Sequence, residues 1–267
     1  IRKLKTYNAF SCKLSSVQQE LQTFYDDIKI IHGKILSFKK LSQIGYVMKE
    51  FFILFDDIKL EKAFLYSFGF NGYIDTISGL NDNIRKKFIN KTKFVESRKP
   101  IVKFKKSYFP SLMLKKPVKN NIDMNNNYII TGPNAAGKTT LIKSTLLNIL
   151  FSQQVGYGFF GRGKLTPFHH IHAYINIPDT IARDSLFQAE ARRCKEILTN
   201  IEENKDKKHF CIFDELYSGT NHEEAISTGY SFIHYLSQNN NINFILTTHF
   251  KKISSLMETN KVSNISN

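Results

Sequence analysis

The run Tyr128-Ile-Ile-Thr-Gly132-Pro133-Asn134-Ala135-Ala136-Gly137-Lys138-Thr139-Thr140 carries the clearest chemistry in the chain. It matches G-x-x-x-x-G-K-[ST] between an apolar strand-like segment and a helix-like one. Gly132 and Gly137 let the backbone curl close to an anion without a Cβ in the way. The loop N–H groups and the helix N-terminus then face that anion. Lys138 is spaced to reach β- and γ-phosphates, and Thr139 to ligate Mg²⁺. Further on, His209-Phe-Cys-Ile-Phe213-Asp214-Glu215 is an apolar run ending in two carboxylates. Beside a phosphate loop, Asp214 would hold Mg²⁺ through water and Glu215 would polarise an attacking water. A third apolar run, Phe244-Ile-Leu-Thr-Thr, ends at His249, a candidate γ-phosphate contact.

These residues need a scaffold that brings three strand ends to one place. The pattern predicts buried strands at 128–131, 209–213 and 243–248, and helices at 138–152, 185–203 and 222–238. Short apolar strands alternating with helices imply an α/β fold with a largely parallel sheet. The Asn tracts at 125–127 and 239–241 are turns between elements. Ahead of this region, Leu14, Leu21, Ile28 and Ile35 recur every seven residues, as do Val17, Phe24, Ile31 and Phe38. That apolar seam predicts a helix at least ~37 Å long. A second seam follows at Ile44, Met48, Phe51, Phe55 and Ile58, with Gly45 marking a break. The seams suit helices packed on each other or on a neighbouring domain; an independent dimerising coiled coil is the alternative. Residues 69–83 are rich in Gly and Asn around a short helical stretch at 74–80.

The chain has 267 residues and a formal charge of +15. Its 42% hydrophobic content suffices for a packed core and excludes wholesale disorder. The longest apolar runs fall well short of the 18 or so residues of a membrane span, and no signal peptide is recognisable. The chain starts at Ile1, as a piece of a longer protein would. Cys12, Cys194 and Cys211 are odd in number and widely spaced, which fits a reducing intracellular compartment without a disulfide framework. The charge is concentrated. Residues 85–119 hold thirteen basic residues against the single acid Glu96, whereas residues 120–267 hold fourteen basic and thirteen acidic ones. The basic stretch contains Pro100, Pro110 and Pro117 and reads as strands and loops with exposed lysines.

The motif set resembles the ATPase domain of the MutS family, within the ABC-type ATPases. Thr131-Gly-Pro-Asn-Ala-Ala-Gly-Lys-Thr-Thr is similar to that family's T-G-P-N-x-x-G-K-[ST]-[ST]. Asp214-Glu215-Leu-Tyr-Ser-Gly219-Thr220 is similar to D-E-x-x-x-G-T, and Thr248-His249-Phe250 to T-H-[YF]. Asp184-Ser185-Leu186-Phe187-Gln188-Ala189-Glu190 is similar to S-x-F-x-x-E, Gln154-Val155-Gly156 to A-Q-x-G, and Val118-Lys119-Asn120-Asn121-Ile122 to V-P-N-D-I. Ile74-Asp75-Thr-Ile-Ser78 is like the helix joining that family's lever helices to its ATPase. The usual Asp-Gly after the D-E-x-x-x-G-T motif is Glu224-Ala225 here, so the chain is a divergent or partial relative.

The resemblance implies a P-loop ATPase sheet flanked by helices over 85–267, with 85–127 as a basic, β-rich lead-in, and a helical lever-like segment over 1–84. It implies ATP and Mg²⁺ as ligands, DNA as a partner, and a homodimer or MutS-like heterodimer, with no membrane. Asn134 would contact the γ-phosphate region, Gln154 would sit near Mg²⁺ and water, and Val118 and Asn120 would border the adenine. Gly219 and Thr220 would face the partner subunit, and Ser185 would reach the γ-phosphate of the other subunit. Two other readings stay open: another ABC-type ATPase of DNA maintenance, although L-S-G-G-Q is absent, and a non-hydrolysing nucleotide-dependent scaffold. His169, His170 and His172 suit either a metal site or a strand edge. Arg183, Arg192 and Arg193 suit either charge stabilisation or a helix surface.

Overall fold

The computed structural model describes residues 7–31, 38–133, 135–175, 186–257 and 262–266. The chain divides into two compact units, residues 1–82 and 83–267. The first is helical. Helix α1 spans Tyr7–Ile28, α2 Phe38–Asp56 and α3 Ile58–Arg85. From the first seam, Phe24 meets Phe64 of α3 with ring centroids 5.8 Å apart, and Phe10, one heptad ahead of Val17, meets Phe70 at 6.2 Å. Of that seam, Ile35 lies outside the described residues.

Three expectations for this unit are corrected. Gly45 lies inside α2, and the expected single helix over 14–38 is not formed, because α1 ends at Ile28 and α2 begins at Phe38. A further break falls at Asp57, whose carboxylate accepts from the Lys59 and Leu60 N–H groups as an N-cap of α3. The Gly- and Asn-rich stretch is part of the continuous helix α3. Separately, the residues of the second seam are exposed, from Ile44 at 50% to Phe55 at 91%, which is the state that packing on a neighbouring domain or a second copy requires.

In the second unit, β1 (Asn90–Phe94), β2 (Val102–Ser107), β3 (Asn120–Met124), β5 (Tyr157–Gly158) and β6 (Arg162–Leu165) form a mixed sheet of order β3-β2-β6-β1-β5. The larger sheet is parallel. It contains β4 (Asn127–Thr131), β7 (His170–Tyr174), β8 (His209–Asp214), β9 (Ile242–Thr248) and β10 (Val262–Ser266), in the order β10-β4-β9-β8-β7.

Alternate residues of the parallel strands enter two different cores. Ile129, Cys211, Phe213, Phe244 and Leu246 pack with α5 (Leu186–Glu203), α6 (His222–Ser237) and α7 (Lys251–Met257). Ile130, Phe210, Ile212 and Ile245 pack with α4 (Lys138–Val155) and the inner face of the mixed sheet. Burial on both faces explains why β8 and β9 read as unbroken apolar runs.

Helix α4 therefore lies between the two sheets. Asn148, fully buried, ties it to the mixed sheet. Its Nδ2 donates to Ser107 Oγ and Tyr108 O, and its Oδ1 accepts from Phe159 N. The Thr92 hydroxyl and N–H donate to Ser152 Oγ and Gly156 O at the far end of α4. No helix among the described residues is long and apolar enough to cross a membrane.

Candidate functional site

The parallel strands β4, β8 and β9 end side by side, with Thr131 paired to Thr248 and Asp214 to Thr247. The loop after β4 turns through Ala135 and Gly137, at φ 61° and 87°, directly into α4. Gly137 is the residue type that adopts this left-handed conformation at least cost. The Lys138 side chain is 6% exposed, and its Nζ donates to Gly132 O at 3.0 Å and Pro133 O at 3.1 Å. The ammonium is thus held against the loop carbonyls rather than swept outward.

Across from it, Asp214 Oδ1 accepts from Thr139 Oγ1 at 3.2 Å and from Thr247 Oγ1 at 2.5 Å. Glu215 Oε1 lies 3.8 Å from Lys138 Nζ and 3.9 Å from His249 Nδ1. Glu215 itself takes a left-handed backbone, φ 55°, fixed by its N–H on Thr247 O. A hydroxyl and a carboxylate at this separation are hard oxygen donors of the kind Mg²⁺ uses alongside phosphate and water. The residues present fit that ion.

Lys138, Thr139, Asp214, Glu215 and His249 therefore converge, with Gly132, Pro133, Ala135, Ala136, Gly137 and Thr140 forming the surrounding loop and first helical turn. Asn134, Ser185 and Arg183 lie outside the described residues. Gln154 does not join the group. It sits near the C-terminal end of α4, about 22 Å along the helix from Thr139 at 1.5 Å per residue. Its neighbour Gln153 is engaged elsewhere, clamping the Phe168 backbone through both its amide groups. Val118 is 79% exposed ahead of β3, and Asn120 opens β3 opposite Ser107. Neither hydrogen-bonds the Gly132–Gly137 loop among the described contacts.

Two positions had no role assigned from sequence. Thr247 is the closest partner of Asp214, and only the β8–β9 register reveals it. Glu190 is 2% exposed on α5. Its Oε1 accepts from Ser218 N and Ser218 Oγ, both at 3.0 Å, and its Oε2 from Gly219 N at 3.2 Å. It thereby holds the loop that follows Glu215. A Cβ on Gly219 would lie 2.7 Å from Leu186 Cγ, so the loop also needs glycine for its close approach to α5.

The histidines form a stack rather than a metal cage. His172 Nε2 and His209 Nδ1 share a hydrogen bond of 3.1 Å, with His170 stacked on both rings. Among the described residues no group of three His, Cys, Asp or Glu is arranged to hold a metal ion. Arg193 pairs with Glu196 and donates to Ala173 O, so it serves the α5 surface. Burial pushes the Cys194 thiol up to about 11 and Cys211 higher still, which removes both as thiolate nucleophiles near neutral pH.

The MutS domain V family matches residues 128–267 of this chain. The DNA mismatch repair protein MutS of Persephonella marina is 30% identical over 161 residues, covering 58% of this chain and 18% of that protein. The MutS protein of Fusobacterium nucleatum is 30% identical over 143 residues, 52% of this chain and 16% of its own. That of Staphylococcus aureus is 27% identical over 172 residues, 62% of this chain and 19% of its own. The chain thus spans less than a fifth of the length of these relatives. The domain V match covers over half of the chain and contains the whole convergent cluster from Gly132 to His249, and on that ground the chain belongs to the MutS family.

Proposed function

We propose that this chain binds ATP with Mg²⁺ and hydrolyses it, as the ATPase part of a MutS-like DNA-repair protein of the ABC-type class. The observation that carries the reading is the convergence of one buried lysine, one Thr–Asp pair and one Glu–His pair at the ends of three adjacent parallel strands. Lys138 offsets charge on the β- and γ-phosphates. Thr139 and Asp214 would hold the Mg²⁺, which would supply charge neutralisation on the same oxygens. Glu215 accepts a proton from the attacking water as the water oxygen bonds to the γ-phosphorus and the bond to the leaving ADP breaks. His249, beside Glu215, orients that region.

By resemblance, a second subunit completes each site through its Ser185, and closure of the dimer on ATP transmits a conformational change towards bound DNA. The test is Glu215→Gln, with ATP binding and steady-state turnover measured separately. Binding should persist while turnover falls by at least a hundredfold, the lower scale for a general base. Turnover at the unmodified rate would remove Glu215 from this role. Loss of binding in the same variant would point instead to a structural part for its carboxylate.

A further inference from the structure

We propose that the outward face of the mixed sheet binds the phosphate backbone of duplex DNA. The inner side chains of this sheet, Val102, Phe104, Ile122, Met124 and Leu165, are buried against α4 and the parallel sheet. Strand alternation sends Lys91, Lys93, Lys103, Lys105, Arg162 and Lys164 to the opposite side. The register sets them in rows. Lys93 is paired with Lys164 and Lys164 with Lys103; one step along, Arg162 is paired with Lys105. Strands ~4.8 Å apart and same-face residues ~6.7 Å apart place these six cations on a patch roughly 10 by 7 Å at its base. The one carboxylate in the rows is Asp123, 2.9 Å from Lys103.

Surface lysines are ordinary, but their position here is not. Like charges directly opposite each other destabilise a sheet, and lysine is a poor strand former. Lysine commonly guards exposed sheet edges. In the order β3-β2-β6-β1-β5, however, the edges are β3 and β5, and the cations lie on the three strands between them; β5 covers β1 at Asn90 and Lys91, so of the six only Lys93 lies beyond its cover. An arrangement that weakens the free protein at the middle of a sheet suits a bound polyanion. The face offers amines and a guanidinium, with one aromatic, Tyr157, at its β5 edge opposite Lys91. Without a row of aromatic rings it lacks the stacking surface that single strands use. Point charges at this density suit duplex phosphates, which carry one charge per ~1.7 Å of axis. The choice of DNA among polyanions rests on the proposed function; the site itself does not.

The experiment uses the full chain and a labelled duplex of about 20 base pairs of arbitrary sequence, with affinity followed against salt. Up to six phosphate contacts predict a log–log slope approaching about −5. The variant Lys93→Gln/Lys103→Gln/Lys164→Gln, which removes one row, should flatten the slope by about 2 to 3 and weaken binding at least tenfold at low salt. It should leave DNA-independent ATP turnover unchanged and raise the Tm, because the opposed charges are gone. A control, Lys205→Gln/Lys207→Gln/Lys208→Gln, should bind as the unmodified chain does. An unchanged slope in the row variant overturns the proposal. So does tighter binding of poly(U) or of phosphatidylserine vesicles than of duplex DNA. Duplex binding by an unmodified chain that shows no ATP turnover would strike at the ATPase reading and leave this one intact.

Discussion

Glu190→Gln separates the work of one carboxylate from the fold around it. Glu190 Oε1 takes two donors from Ser218 and Oε2 takes Gly219 N. A glutamine amide keeps one oxygen, so the Ser218 pair survives, but its NH₂ then faces the Gly219 N–H, donor against donor. A hydrogen bond to a charged acceptor is worth about 1.5–3 kcal/mol. Ser218 and Gly219 are exposed, so water replaces part of the loss. A cost of roughly 1–2 kcal/mol remains, and urea denaturation should show it as a lower midpoint at constant m-value.

The functional consequence is more specific. The loop between Glu215 and Gly219 contains two non-glycine residues in the left-handed region, Glu215 at φ 55° and Tyr217 at φ 57°. Such a conformation persists only where its surroundings hold it. Loosening the Gly219 end by about 1.4 kcal/mol should lower kcat for ATP about tenfold. KM should stay within twofold, because Lys138 and Thr139 ride on α4. A stability loss with unchanged kcat would refute the coupling of this loop to Glu215. A rise in KM alone would place the effect at the wrong site.

Three further outcomes are expected. Gly219→Ala should destabilise by about 1–3 kcal/mol through its clash with Leu186, and Leu186→Ala in the same chain should recover part of that, giving a non-zero coupling in a double-mutant cycle. His172 is pushed from 6.5 down to about 4, first by burial and then by His209, His170 and Arg193. Its folded pKa lies below its unfolded one, so the folded state is favoured fully above pH 6.5 and loses roughly 3 kcal/mol as pH falls towards 4; denaturation midpoints at pH 7 and 4.5 should differ less in His172→Gln. His209 is shifted in the same direction, again by burial, and adds to the effect. Gly72→Ala, at a mid-helix position whose added Cβ meets nothing within 4 Å, should raise stability by about 1 kcal/mol in thermal melts.

Much of the parallel-sheet part was legible because its strands are buried on both faces. Phe210-Cys-Ile-Phe and Phe244-Ile-Leu read as interior strands because they are short and apolar, and the loop and carboxylate motifs mark their ends. Helix α3 was not legible. Gly69, Gly72 and Gly79 argue against a helix locally, and only the helical context on either side outweighs them. Gln154 was misjudged because a sequence motif carries no distance, whereas 15 residues of straight helix do. Glu190 and Thr247 owe their roles to partners 28 and 33 residues away. Of the mixed sheet only the stretch before residue 127 was foreseen as strands; β5, β6 and the strand order were not. Its central strand β6 comes last of its three inner strands in the chain, and nothing local in Arg162–Leu165 announces that β1 and β2 will flank it.

The hydrogen bonds that seat α4 have a consequence for how signals could travel. One end of this 18-residue helix follows the Gly132–Gly137 loop, and the other is fastened to β1 through Thr92, with Asn148 fixing the middle. A helix pinned at several polar points cannot rotate or creep in small steps; it moves with the mixed sheet or not at all. A ligand that shifted α4 at one end would have to carry the mixed sheet, and its basic face, with it. Reciprocity follows: whatever factor ATP imposes on the affinity of that face, an anion on the face must impose on ATP.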